Sequence, residues 1–217
     1  MTVMQYPQIR IRDGWLIREN VSRHLHELWG KDSTLIDSEG MDKVVEQYIA
    51  AWKPYEDKIV KGMCRLLDLE FRQNFIDVYI APWFAALSDP LIIGIKGSPD
   101  EFIDTLTHEL LHRLLTDNTK VSYDAPLINV WEQLFGSKHT FGALVHIPVH
   151  AVHKAIYLDA LKEPARLKRE VDRLRSMSKN TSDYIEAWEY VEENDYNDLI
   201  KKLKSSYEDL AKSTTNQ

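Results

Sequence analysis

The segment DTLTHELLHRLLTDN, residues 104 to 118, places His108 and His112 four residues apart with Glu109 beside the first. On a helix, residues i and i+4 stand one above the other, so two neutral imidazoles at that spacing can reach one metal ion. A glutamate at i+1 is turned too far round to complete the ligand set, yet it can touch a water on that ion. Zinc lowers the pKa of such a water to about 7, and a carboxylate can take its proton as the oxygen attacks a carbonyl. The chemistry predicted is metal-assisted hydrolysis, with Zn2+ as cofactor, His108 and His112 as ligands and Glu109 as general base.

A catalytic zinc needs three protein ligands and one open position. More histidines follow in VHIPVHAVHKAIYLDAL: His146, His150 and His153. A helix beginning near Pro148 puts His150, His153 and Tyr157 on one stripe and leaves His146 just before the first turn. His150 is therefore the expected third ligand, with His146 as an alternative. A cleft histidine that is not a ligand can hydrogen-bond a developing oxyanion, as tyrosine also can. That catalytic role falls to His146, with Tyr157 behind it. His153 and Tyr157 read as a partly buried stripe, while His24, His26 and His139 carry no spacing argument and are expected at the surface. Trp131, Trp188 and the tyrosines of DYIEAWEY read as packing residues.

These residues need elements to hold them. Residues Phe102, Ile103, Leu106, Leu110, Leu111 and Leu114 fall on a broad apolar arc, opposite a polar side of Thr105, His108, Glu109, His112 and Thr116. This predicts an amphipathic helix with both histidines on one face. Its start is written in GSPDEF, where Ser98 can cap, Pro99 can take the first helical position and Glu101 sits three residues after the cap. Two apolar runs of strand length precede it, FIDVYIA from Phe75 and LIIGIK from Leu91. Helical spacing extends from Met41 to Phe71, with a break or kink at Pro54. QIRIRDGWLIR alternates apolar and charged residues around Asp13-Gly14 and predicts a short hairpin. LINVWEQLFG reads as a helix ended by Gly136, and charged amphipathic helices follow Pro164.

HELLH resembles the HExxH signature of zincin metallopeptidases, and the order of helix, strands, active-site helix and ligand-bearing helix is similar to small gluzincin-like domains, the minigluzincins. The resemblance spans about Met41 to Leu161 and implies His108 and His112 as zinc ligands and Glu109 as general base and acid. It implies further that LIIGIK lies along the cleft and pairs with an extended substrate backbone. The longer metzincin motif is absent, since Leu115 and Asn118 stand where its glycine and third histidine belong. Gluzincins take a glutamate from a later helix, which makes Glu132 a further alternative for the third ligand, although its surroundings lack the usual Asn-Glu pairing.

The fold expected is α+β and predominantly helical, with a small zincin-like sheet, an HExxH active-site helix and a helical C-terminal extension. Residues 1–161 form the zincin-like core, and residues 162–217 pack on it within the same structural unit. With 217 residues, 44% of them apolar, the chain can bury a good-sized core. The single cysteine, Cys64, excludes an internal disulfide framework and fits a reducing compartment. Neither a secretory signal nor a membrane span is expected, which suggests a cytoplasmic protein. A formal charge of −7 argues against nucleic acid as the main partner. A zinc-dependent peptidase acting on peptide or protein substrates is the leading reading. The alternatives are a regulatory or interaction protein whose metal is structural, and a zinc hydrolase acting on something other than peptides. Oligomeric state is not legible.

Overall fold

Ile9 and Ile11 face inward from β1 (Gln8–Asp13), while Arg10 and Arg12 face outward, each 2.8 Å from Asp77 on the neighbouring strand. That neighbour is β2 (Phe75–Ile80), and the pairing is parallel. The computed structural model describes residues 6–20, 37–121, 125–176 and 182–215. The strand order is β1-β2-β4-β3, in which β4 (Leu91–Ile93) runs parallel to β2 and β3 (Ala86–Ser88) antiparallel to β4.

Two expectations are corrected here. Asp13-Gly14 does not turn a hairpin: the Gly14 amide donates to Ile80 at 2.9 Å, extending the parallel pairing, and residues 15–20 are helical. A side chain on Gly14 would bring its Cβ within 3.0 Å of the Ile80 carbonyl oxygen, so glycine serves close approach rather than reversal. Nor does LIIGIK present a free edge, because β4 is paired on both sides. The edge on that side is β3, a strand of three residues too short to show alternation in the sequence.

Between β1 and β2, α1 (Ser38–Trp52) and α2 (Glu56–Leu67) are separated by a turn at Pro54, as the missing proline amide requires. The helix α3 (Pro99–Thr116) starts as its sequence dictates. Ser98 Oγ accepts from the Glu101 amide at 3.2 Å, and the Glu101 carboxylate reaches back to the Gly97 amide at 3.0 Å. Phe102, Ile103, Leu106, Leu110, Leu111 and Leu114 are buried against the sheet and neighbouring helices. The next helix, α4 (Leu127–Phe135), ends at Gly136 with φ of 103°.

The helix expected to carry the third ligand begins earlier than its proline suggests. Thr140 caps α5 (Phe141–Ala155) by accepting from the Ala143 amide at 3.1 Å, and Pro148 lies inside the helix. A π-helical turn continues it through Leu161. With two turns of helix ahead of Pro148, His146 becomes a helical residue one turn from His150 rather than part of the preceding loop.

The chain closes with α6 (Pro164–Ser176), α7 (Ser182–Glu193) and α8 (Tyr196–Thr215). One apolar core runs from Ile9 and Ile11 through α3 and α5 to Trp188 on α7 and Tyr207 on α8. Arg166 ties α6 to α3 in the interior: only 2% exposed, it donates from Nε to Asp104 at 2.6 Å and from Nη2 to the Asp100 carbonyl at 2.9 Å. Asp104 also accepts from the Tyr157 hydroxyl. Among the described residues no helix is long and apolar enough to cross a membrane.

Candidate metal centre

The polar side of α3 faces α5, and the histidines of both helices meet between them. His108 and His112 point their Nε2 atoms at each other, 3.0 Å apart. His146 joins them, and one ring nitrogen from each of the three can lie within 4.8 Å of the other two. Two zinc-bound imidazole nitrogens, each ~2.0–2.1 Å from a tetrahedral ion, stand ~3.3 Å apart, close to the His108–His112 spacing.

The tautomer of His146 suits a ligand. Its Nδ1 lies 2.6 Å from the Gly142 carbonyl oxygen and so carries the proton and donates. Its Nε2 is left with a lone pair, buried and without a hydrogen-bond partner among the described residues. A carbonyl accepting from the far ring nitrogen is how metal-binding imidazoles are commonly oriented. His146 thus takes the place in this group that the sequence assigned to His150, because α5 starts at Phe141 and brings His146 onto the inward face.

His150 lies deeper, 1% exposed, with its ring flat against Trp188 at 4.2 Å between centroids. Among the described residues both of its ring nitrogens lack partners, as do both of His153. His153 is also 1% exposed and packs against Tyr157, so the stripe is buried more fully than its sequence indicated. Tyr157 is spent on Asp104 in the interior and cannot serve the cleft. Glu132 lies on α4 outside the three-histidine group. His139, expected at the surface, is tucked under α7 with Nδ1 2.7 Å from Glu186. His24 and His26 lie outside the described residues.

Burial governs the protonation of the cluster. It pushes His108 and His150 well below the ordinary imidazole range, and the neighbouring histidines push the same way. Burial, then the proximity of His146, lowers His112 to about 3. His146 is lowered too, by burial, against an opposing pull from Gly142 and Asp183. Neutral imidazoles with free lone pairs are what a transition metal requires, and an all-nitrogen donor set suits zinc.

Glu109 is 7% exposed, and burial raises its carboxyl to about 7 while the Lys96 ammonium pulls the other way. Lys96 is held on the Ala85 carbonyl by a 3.2 Å hydrogen bond from Nζ. A carboxyl poised near neutrality is well matched to moving protons. Tyr184 on α7 completes the surroundings, its ring 3.9 Å from that of His146 and 5.7 Å from that of His108.

Sequence reasoning missed Lys96 and read Tyr184 only as a packing residue. The stripe of Tyr184, Ala187, Trp188 and Val191 does mark an inward face of α7, but the sequence does not say which site it faces. In comparisons of this chain with family models, curated proteins and solved structures, nothing matches.

Proposed function

We propose that this protein is a zinc-dependent hydrolase of peptide bonds, with His108, His112 and His146 as its metal ligands and Glu109 as its general base. The observation that carries the reading is the convergence of three imidazoles on one point beside a buried carboxylate. A zinc ion held there would polarise a substrate carbonyl and bring the pKa of a water to about 7.

Glu109 accepts a proton from the attacking water and returns it to the departing amine, a cycle that its proton affinity near neutrality permits. Tyr184 makes no hydrogen bond among the described residues and stands over the ligand histidines, so its hydroxyl is available to donate to the carbonyl oxygen as negative charge develops. It takes the role the sequence gave to His146. An extended substrate backbone would follow the free edge at β3, which lies against α3 where Arg113 Nη1 reaches the Ser88 carbonyl at 3.1 Å.

One observation favours a second reading. His150 sits one turn from His146 with two buried nitrogens that have no partner among the described residues, so its ring could supply a fourth ligand and close the site. Closed four-ligand zinc sites are structural.

The deciding experiment incubates a peptide library with the zinc-loaded protein and with Glu109→Gln. Cleavage by the parent, lowered at least ~100-fold in a variant that keeps its metal, is the result expected of a general base. No cleavage by the zinc-loaded parent, with four nitrogen ligands in its X-ray absorption spectrum, would establish the structural reading instead.

A further inference from the structure

The third histidine lies in the second turn of α5, yet the turn that precedes it is held from outside that helix. The Gly142 carbonyl accepts from His146 Nδ1 at 2.6 Å. Asp183, the second residue of α7, lies directly against Gly142: any side chain built there would collide with its carboxyl group. The same carboxylate accepts from Thr140 Oγ at 2.9 Å. Thr140 in turn caps α5, its oxygen accepting from the Ala143 amide at 3.1 Å. The next residue, Tyr184, lays its ring on His146. Both the carbonyl that orients His146 and the cap that starts its helix are therefore secured by two consecutive residues of α7.

We infer that Asp183 is a positioning residue for the metal site: it fixes Thr140 and Gly142 so that His146 presents Nε2 to His108 and His112. The inference rests on the reading of those three histidines as a ligand set. The hydroxyl of Thr140 has one proton, and giving it to Asp183 leaves the oxygen lone pairs for the Ala143 amide. Without that acceptor the hydroxyl is left to the more distant Glu186 carboxylate, 3.5 Å away, the cap loosens, and the carbonyl above His146 is no longer fixed. Loss of such an outer partner typically lowers metal affinity 10- to 100-fold. Linkage is reciprocal, so metal binding favours the docking of α7 by the same factor.

Competition titration of zinc against a chromophoric chelator tests this on the full chain, comparing the parent with Asp183→Ala, Asp183→Asn and Lys154→Met. Lys154 Nζ donates to the Val191 carbonyl at 3.0 Å and so anchors α7 at its other end, away from Gly142. The expected result is a 10- to 100-fold weaker affinity in Asp183→Ala, partial recovery in Asp183→Asn, which keeps an acceptor for Thr140, and parental affinity in Lys154→Met. Parental affinity in both Asp183 variants would overturn the inference. Equal losses in Asp183→Ala and Lys154→Met would overturn it too, since they would mark general undocking of α7. Asp183→Asn preserves side-chain size and carries the test if the alanine variant does not fold. A parent that binds no zinc defeats the ligand set itself, a failure read before any variant is compared.

Discussion

Glu109 is the group beside the histidines whose proton is exchanged near neutrality, and Lys96 bears on where that happens. Burial raises Glu109 to about 7, and the positive charge of Lys96 opposes that rise. A bound dication acts in the same direction as Lys96, so the acid limb of kcat/KM belongs at or below about pH 7. Replacing Lys96 with Met removes one opposing charge, and Glu109 then holds its proton to higher pH. The acid limb should move upward by a few tenths to one pH unit, measured as a pH profile of peptide cleavage. An unmoved or lowered limb would separate Lys96 from the general base. The pair His108 and His112 was legible in the sequence because a helix fixes i and i+4 on one face. Tyr184 was not, because its approach to His146 depends on how α7 packs some forty residues downstream.

Among the elements, α3 matched its sequence most closely, since its cap, its apolar arc and its polar stripe all specify the same helix. The helix α5 did not, and Pro148 is the reason. Proline favours a first turn but is tolerated within a helix at the loss of one hydrogen bond, and here the Thr140 cap decides where the helix begins. That difference of two turns brings His146 into the group with His108 and His112. Gly14 misled similarly, because a residue that permits reversal also permits close strand contact.

The bond between α3 and α6 carries a prediction at this scale. Arg166 is the charged partner of Asp104, whose carboxyl is pushed up by burial and pulled down by Arg166. Arg166→Met leaves that carboxylate buried with the Tyr157 hydroxyl but no ion-pair partner from Arg166, which should cost about 3–5 kcal/mol in urea unfolding. Asp104→Leu added to it should restore much of the loss. A destabilisation below ~1 kcal/mol would mean that the pair contributes little to holding α6.

For the whole molecule, the histidine cluster is a store of pH sensitivity. Burial lowers His153 to about 4, and His108 and His150 are shifted the same way. In the unfolded chain these imidazoles titrate near 6.5, so between about pH 6.5 and 4 the unfolded state binds more protons and stability falls as pH falls. His153 alone should remove on the order of 3 kcal/mol across that window. Urea midpoints of the zinc-free protein should therefore drop between pH 7 and pH 5, and unchanged midpoints would contradict neutral burial of the cluster. Zinc at a hundred times its Kd should add about 2.7 kcal/mol at pH 7 by mass action. The α+β class and helical majority were legible because amphipathic spacing is local. How α6, α7 and α8 sit on the remainder was not, since packing faces become specific only when their partners are known.

The most direct test is the zinc content, by mass spectrometry, of protein purified without a metal-affinity tag, alongside His146→Ala and His150→Ala. Near-stoichiometric zinc in the parent and in His150→Ala, with loss in His146→Ala, is the result the three-histidine centre predicts. Zinc retained in His146→Ala but lost in His150→Ala, or no zinc in the parent even after it is added back, would contradict it.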